Sequence, residues 1–322
     1  MRGRLLAATT TATVLAVTLS GCITVHGEDA VIPAVSKAEA RKALDNFTEQ
    51  NNQSNRNYDA KLNATIESGA LGAIDQAGLR ARKEVHQGRN ADYTPLKLTD
   101  PKFLIPKQAG WPKFFVANAA SNQGSGDRWL LVFQRDDVDA KWKASYLAVL
   151  DSSEVPEFAK DEDGHVKAVP AGKESGLTVP PDKVSKAYTR YLKQGSGDFA
   201  AGEHTSALRE QRKKKADQPR VRTEWADLPA SPPQFAPFGL RTTDGGAMVF
   251  FASHHHTKQT LAEGYTPEVK DPYARALMTG TPTESVTYVR VSAQAVSVPA
   301  AKGGGEIDFL ARISGLTTVK AN

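Results

Sequence analysis

Trp129-Leu130-Leu131-Val132-Phe133-Gln134-Arg135 leads through Asp136-Asp137-Val138-Asp139-Ala140 into the apolar run Trp142–Leu150. Two stretches of aliphatic and aromatic residues split by a short acidic segment read as a β-hairpin. A period of two sets Trp129, Leu131 and Phe133 on one face of the first strand. The same period sets Trp142, Ala144, Tyr146 and Ala148 on one face of the second. Phe114–Ala119 reads as a third strand, with a turn over Ser121–Asp127. Pro95, Pro101, Pro106 and Pro112 mark the passage before it as loop and edge structure.

Upstream the period changes to that of a helix. Ser36 followed by Glu39 is a capping-box pattern, and Ala40, Ala43, Leu44 and Phe47 form one apolar stripe. That helix is expected to run to about Gln53 and to weaken in the polar run Asn51–Asn55. A second helix is expected from about Tyr58 to Ser68, broken by Gly69 and Gly72, and a third over Ala73–Val85. Helices first and antiparallel strands after them predict an α+β layer.

The order recurs. Val184-Ser185-Lys186-Ala187 repeats Val35-Ser36-Lys37-Ala38 and is expected, like it, to open a helix. Helical stretches to about Lys215 precede a Pro-rich run, Pro229–Pro237. Strands are expected over Phe238–Arg241, Ala247–Ser253, Glu284–Val298 and Glu306–Ile313, with a short helix over Asp271–Met278. The expected fold is therefore α+β in two tandem modules, each with helices packed on a bent antiparallel sheet. The modules span residues 36–151 and 183–322, joined by a connector at 152–182 that is rich in proline, glycine and charge.

The chain has 322 residues, a formal net charge of +5 and a single cysteine. One cysteine excludes a disulfide framework and a Cys-rich metal site. Arg2 and Arg4 precede an uncharged apolar run, Leu5–Leu19, too short to be read as a membrane span. It ends in Leu19-Ser20-Gly21-Cys22. Residues 1–21 read as a signal peptide, Cys22 as the site of lipid attachment, and 22–35 as a tether. The basic cluster Arg209–Lys215 reads as a solvated helix face, and no nucleic-acid partner is expected.

These residues resemble secreted lipoproteins of unknown function from high-GC Gram-positive bacteria. Leu19, Ser20, Gly21 and Cys22 match the lipobox of such proteins. Further likeness lies in Asn51-Asn52, Asn55-Arg56, Ala73-Ile74-Asp75-Gln76-Ala77-Gly78, Asp100-Pro101-Lys102-Phe103 and the strand at Trp129 followed by Trp142. The resemblance implies acylation of Cys22, anchoring in the cell membrane and an extracytoplasmic location. The modules are also similar to the nuclear-transport-factor-2-like fold, whose cones often hold a pocket. Neither resemblance carries catalytic residues over.

Candidate chemistry is sparse. In such a cone, Tyr58, Asp59, Asp75 and Arg80 are placed to line the mouth, with Asp75 as a general base if its carboxyl is buried. His254-His255-His256 on a strand would turn His254 and His256 to one side and His255 to the other. A third metal ligand has no evident source, so no metal, cofactor or catalytic residue is assigned. No Ser-His-Asp order, P-loop, GxGxxG or HExxH occurs. The expectation is a membrane-anchored, non-catalytic lipoprotein that binds an envelope partner or a small ligand. The alternatives are an enzyme using Asp75 and a purely structural envelope protein.

Overall fold

The computed structural model describes residues 30–124 and 127–322; the lipobox and Cys22 lie outside them. After the short strand β1 (Ile32–Pro33) come the helices α1 (Lys37–Asn57), α2 (Ala60–Asn63) and α3 (Gly69–Val85). Strands β2 (Leu98–Leu104), β3 (Lys107–Gln108), β4 (Lys113–Ser121), β5 (Asp127–Arg135) and β6 (Lys143–Asp151) follow. The second half holds α4 (Pro181–Gln194), a π-helical turn (Glu203–Ala207) and α5 (Leu208–Lys215). Then come β7 (Asp217–Gln218), β8 (Val221–Pro229), β9 (Phe238–Arg241), β10 (Ala247–Leu261), α6 (Pro272–Ala276), β11 (Met278–Thr279), β12 (Ser285–Val298) and β13 (Asp308–Ala321). The protein is α+β.

Strands β2, β4, β5 and β6 form an antiparallel sheet in that order. A larger sheet runs β11-β13-β12-β10-β8-β7, with β9 also on β10. The inner faces of the two sheets meet. Phe114, Leu130, Val132, Tyr146 and Ala148 pack against Phe238, Met248, Phe250, Ala293 and Ala295 in one core. The Phe114 and Phe238 rings lie 4.7 Å apart, and the Tyr146 hydroxyl donates to the Ala236 carbonyl at 3.0 Å. On the outer face of the first sheet, Ala40, Leu44 and Phe47 of α1 and Leu71 of α3 cover Phe115, Leu131, Phe133 and Leu147. On the outer face of the second, Val184, Tyr188 and Leu192 of α4 cover Val249, Phe251, Val296 and Val298. The order of layers is helix, sheet, sheet, helix. Central strands covered on both sides bury nearly every residue, as β4 does from Lys113 to Ala119.

Several local features depart from the sequence reading. Helix α1 does not weaken at Asn51–Asn55. It continues to Asn57 because Asn51 and Ser54 extend the buried stripe and Asn52 binds a loop. Ser36 does cap α1, accepting from the Glu39 amide at 3.1 Å. In the second occurrence of the tetrapeptide, Ser185 lies inside α4, which begins at Pro181. Its hydroxyl donates to the Ala252 carbonyl at 2.6 Å instead of capping. The expected helix at Tyr58–Ser68 is only the four residues of α2. Beyond it Ile66 and Ser68 exchange backbone hydrogen bonds with Ala144. Gly69 does not break a helix but starts α3, at φ +56°; a side chain there would press on Ser145 of β6.

Ser145 itself is a β-bulge. Phe133 pairs with Ala144 but Val132 pairs with Tyr146, so Ser145 is the extra residue. The bulge reverses the phase of the strand. Trp142 and Ala144 face the helices, whereas Tyr146 and Ala148 face the second sheet. The connector is packed rather than loose: Val166, Val169, Leu177 and Val179 are buried, and Ala168 bridges to Leu240.

Candidate functional site

Between α1, α3 and the outer face of the first sheet lies an open cavity of about 190 Å³. Its walls include Phe47, Asn51 and Asn55 of α1, Tyr93 and Leu96 of the following loop, and Trp129 and Leu147 of the sheet. Glu67 and Asp75 reach it from the α2–α3 junction and from α3. Asn52 holds the loop wall in place: its carbonyl accepts from the Leu96 amide at 2.7 Å and the Tyr93 hydroxyl at 2.8 Å, and its amide donates to the Leu96 carbonyl at 3.0 Å. The polar run in α1 is thus the seam between helix and loop.

Glu67 is 2% exposed and Asn63 fully buried; neither side chain makes a hydrogen bond of good geometry within the protein, although the Asn63 amide and the Asp75 carboxyl lie close enough to Glu67 to shift its titration. Burial, and then the repulsion of Asp75, raise the Glu67 carboxyl well above its usual range. Burial raises Asp75 to about 6, against the opposing pull of Arg82. Two carboxyls sharing one desolvated site hold a proton near neutral pH, and can exchange it or yield it to a cation.

Of the four residues expected at a cone mouth, Asp75 lines this cavity; Tyr58, Asp59 and Arg80 do not. Tyr58 ends α1 in a left-handed conformation and stacks on His86 with centroids 5.8 Å apart. Asp59 caps α2 through the Lys61 and Leu62 amides, both at 3.0 Å. Arg80 is exposed on α3. Glu67 escaped the sequence reading, because a lone acid between Ile66 and Ser68 carries no periodic signal.

The histidine run holds a second buried network. Strand β10 continues past Ser253, so His255 falls on the same face as Val249, Phe251 and Ser253, under α4. His255 is 3% exposed. Its Nδ1 lies 2.6 Å from Asp227 Oδ1 of β8, and its Nε2 lies 2.8 Å from the Ser253 hydroxyl. Arg212 of α5 grips Asp227 with two hydrogen bonds, at 2.6 and 2.9 Å. The basic cluster is therefore not wholly a solvated face. Burial would raise Asp227, but the hydrogen bonds of His255 and Arg212 hold it at about 2. Burial keeps His255 below its usual value, so the ring is neutral, donating to Asp227 and accepting from Ser253.

A Ser–His–Asp chain thus exists in space although no motif announces it. Ser253 is fully buried and also accepts from Gln294 at 3.0 Å, so no substrate reaches its oxygen. Its neighbour His254 meets Phe235 edge-on at 5.1 Å. Among the described residues no group of three or more His, Cys, Asp or Glu side chains is placed to hold a metal ion.

A family model described as a domain of unknown function, DUF8094, matches residues 31–321. An uncharacterized lipoprotein of Streptomyces avermitilis is 48% identical over 99% of this chain and 96% of its own length. An uncharacterized lipoprotein of Streptomyces coelicolor is 45% identical over 96% of this chain and 93% of its own. A second from that organism is 29% identical over 83% and 78%. No solved structure matches this chain, and the likeness to the nuclear-transport-factor-2-like fold is not confirmed. Among the described residues no helix is long and apolar enough to cross a membrane.

Proposed function

Starting from the fact that the chain belongs to the DUF8094 family, whose matched relatives are lipoproteins, we propose a lipid-anchored binding protein of the cell surface. Cys22 carries the lipid, and the folded part stands on the extracytoplasmic face. Two acyl chains give stable attachment where one gives only reversible binding. The protein is non-catalytic. It uses the Glu67–Asp75 cavity to hold a small ligand that presents N–H donors, an amine above all. The supporting observation is Glu67, a buried carboxyl that makes no hydrogen bond of good geometry and has only Asn63 and a second carboxyl, Asp75, beside it at an opening. Such a group is costly unless something hydrogen-bonds to it.

Two measurements test this. Cys22→Ala is expected to move the protein from the membrane to the soluble fraction after a high-salt wash; persistence on membranes refutes the anchor. Calorimetric titration with small alkylammonium ions is expected to show one site in the wild type that Asp75→Asn weakens about tenfold. Equal binding by that variant refutes the cavity. Asp75, raised to about 6, also suits a general base at neutral pH, which keeps an enzymatic reading alive. A reaction lost in Asp75→Asn while the ammonium site persists would favour it.

A further inference from the structure

A larger groove, of about 740 Å³, lies at the other end of α1 and falls within the range of about 300–1,000 Å³ for small-molecule sites. Ile32 and Pro33 of β1 form one wall, paired with Gln108 and Lys107 of β3. Val35, Ile105 and Val138, the last at the tip of the β5–β6 hairpin, complete an apolar lining. Ile32 is 46% exposed and Val138 69%, large apolar side chains left facing the opening.

The floor of the groove carries charge without enough counter-charge. Lys113 is 4% exposed, yet its ammonium donates only to the Gln108 carbonyl, at 2.8 Å. Among the described residues no carboxylate reaches it. Arg135 beside it shares one carboxylate, Glu39 at 3.2 Å, with the Trp142 indole, and its own Nε is buried without a partner. Trp111 lies 5.5 Å from the Lys113 ammonium and 5.4 Å from the Arg135 guanidinium, fixing both cations at one end of the apolar wall. A buried cation with no anion is among the more costly arrangements in a folded protein, and a bound anion relieves it.

We propose that this groove binds a free fatty acid, its carboxylate on Lys113 and Arg135 and its single chain along Ile32, Val35, Ile105 and Val138. Charge selects the head, and the apolar wall selects the tail. The protein's own N-terminal lipid is a different occupant, since its acyl groups end in uncharged esters.

The test uses the full chain with Cys22→Ser, which carries no acyl group of its own. It is titrated below micelle-forming concentrations with hexadecanoate, hexadecanol and hexadecyltrimethylammonium, by native mass spectrometry and calorimetry. One hexadecanoate is expected to bind, with the alcohol and the ammonium at least about tenfold weaker. Lys113→Met is expected to weaken hexadecanoate about tenfold without lowering Tm, because it removes a buried charge from a site of suitable shape. Val138→Asp, on an exposed tip, is expected to weaken it with Tm unchanged and keeps the test alive if Lys113→Met fails to fold. Failure to bind hexadecanoate, equal binding of hexadecanol, or unchanged binding by both variants overturns the proposal. So does a lipidated wild-type chain in nanodiscs that refuses hexadecanoate while the Cys22→Ser chain accepts it, for its own acyl group then fills the groove.

Discussion

Glu67 and Asp227 are both buried on the helix-covered side of a sheet, yet their surroundings differ in kind. Asp227 has two donors from Arg212 and one from His255, and the chain of contacts continues through Ser253 to Gln294. Its low pKa records a charge that the fold itself satisfies. Glu67 makes no hydrogen bond of good geometry within the protein; its polar neighbours are Asn63 and a second carboxyl, Asp75, with which it lines a cavity. The first arrangement spends its polar groups on holding β8, β10 and α5 together. The second leaves them without such a role in the fold, which is the basis for proposing a ligand there. A buried ionisable group that looks reactive by residue type, such as the Ser–His–Asp chain, is the structural one here. The unremarked glutamate is the better candidate for ligand contact.

Removing a donor from the satisfied site should have the largest effect. Arg212→Met leaves a buried aspartate with only its histidine, and is expected to cost about 3–5 kcal/mol in urea denaturation at pH 7. A loss below 1 kcal/mol would place Asp227 in a wetter environment than its 5% side-chain exposure implies. At the Glu67–Asp75 site the sign reverses. Asp75 is raised from its usual 3.8 to about 6, so the folded chain holds a proton that the unfolded chain releases. Its contribution is fully favourable below about pH 4 and is lost as pH rises through 6. Asp75→Asn is therefore expected to stabilise the protein at pH 8 by up to about 3 kcal/mol, with the gain vanishing toward pH 4. A destabilised variant at pH 8 would mean that the ionised Asp75 has a partner that stabilises its charge.

Asn52→Ala probes the wall of the same cavity. It removes the side-chain hydrogen bonds to Tyr93 and Leu96 and is expected to cost about 1–2 kcal/mol. Hydrogen exchange should quicken at residues 93–96 and not at Asp227. The smallest effect is an acid slope. His255 titrates below its usual value in the folded chain, so the unfolded chain takes up the proton first as pH falls below about 6.5. In the Asp75→Asn background, stability should decline from that point downward, and His255→Gln should flatten the decline.

Much of this was legible in the sequence, and the gaps have physical causes. The stripe Ala40–Leu44–Phe47 and the alternation in β5 both report a face turned to an apolar neighbour, so α1 and β5 could be read directly. The end of α1 could not, because Asn51, Asn52 and Ser54 are polar yet turned inward or onto a loop, and burial of polar residues leaves no hydrophobic period. The phase of β6 was lost at Ser145, since a bulge is a property of pairing with β5 and not of one strand. The buried role of His255 was within reach: extending the alternation Val249, Phe251, Ser253 by one step lands on it. Asp75 showed itself as an acid on an apolar helix. Glu67 lies on an irregular stretch, and only the folded chain brings the two together.

Strand β1 is two residues long and pairs with β3, with one further hydrogen bond from the Ala34 amide to the Pro106 carbonyl. It is also the first described segment after the N-terminal stretch that contains Cys22. A load applied to the chain from that end would reach these few bonds first, and so short a pairing is expected to open before the long strands of the sheets. Peeling them strips Ile32 and Pro33 from the wall of the 740 Å³ groove. If Cys22 is the anchor and the groove the binding site proposed above, tension on the chain and retention of the ligand would be coupled.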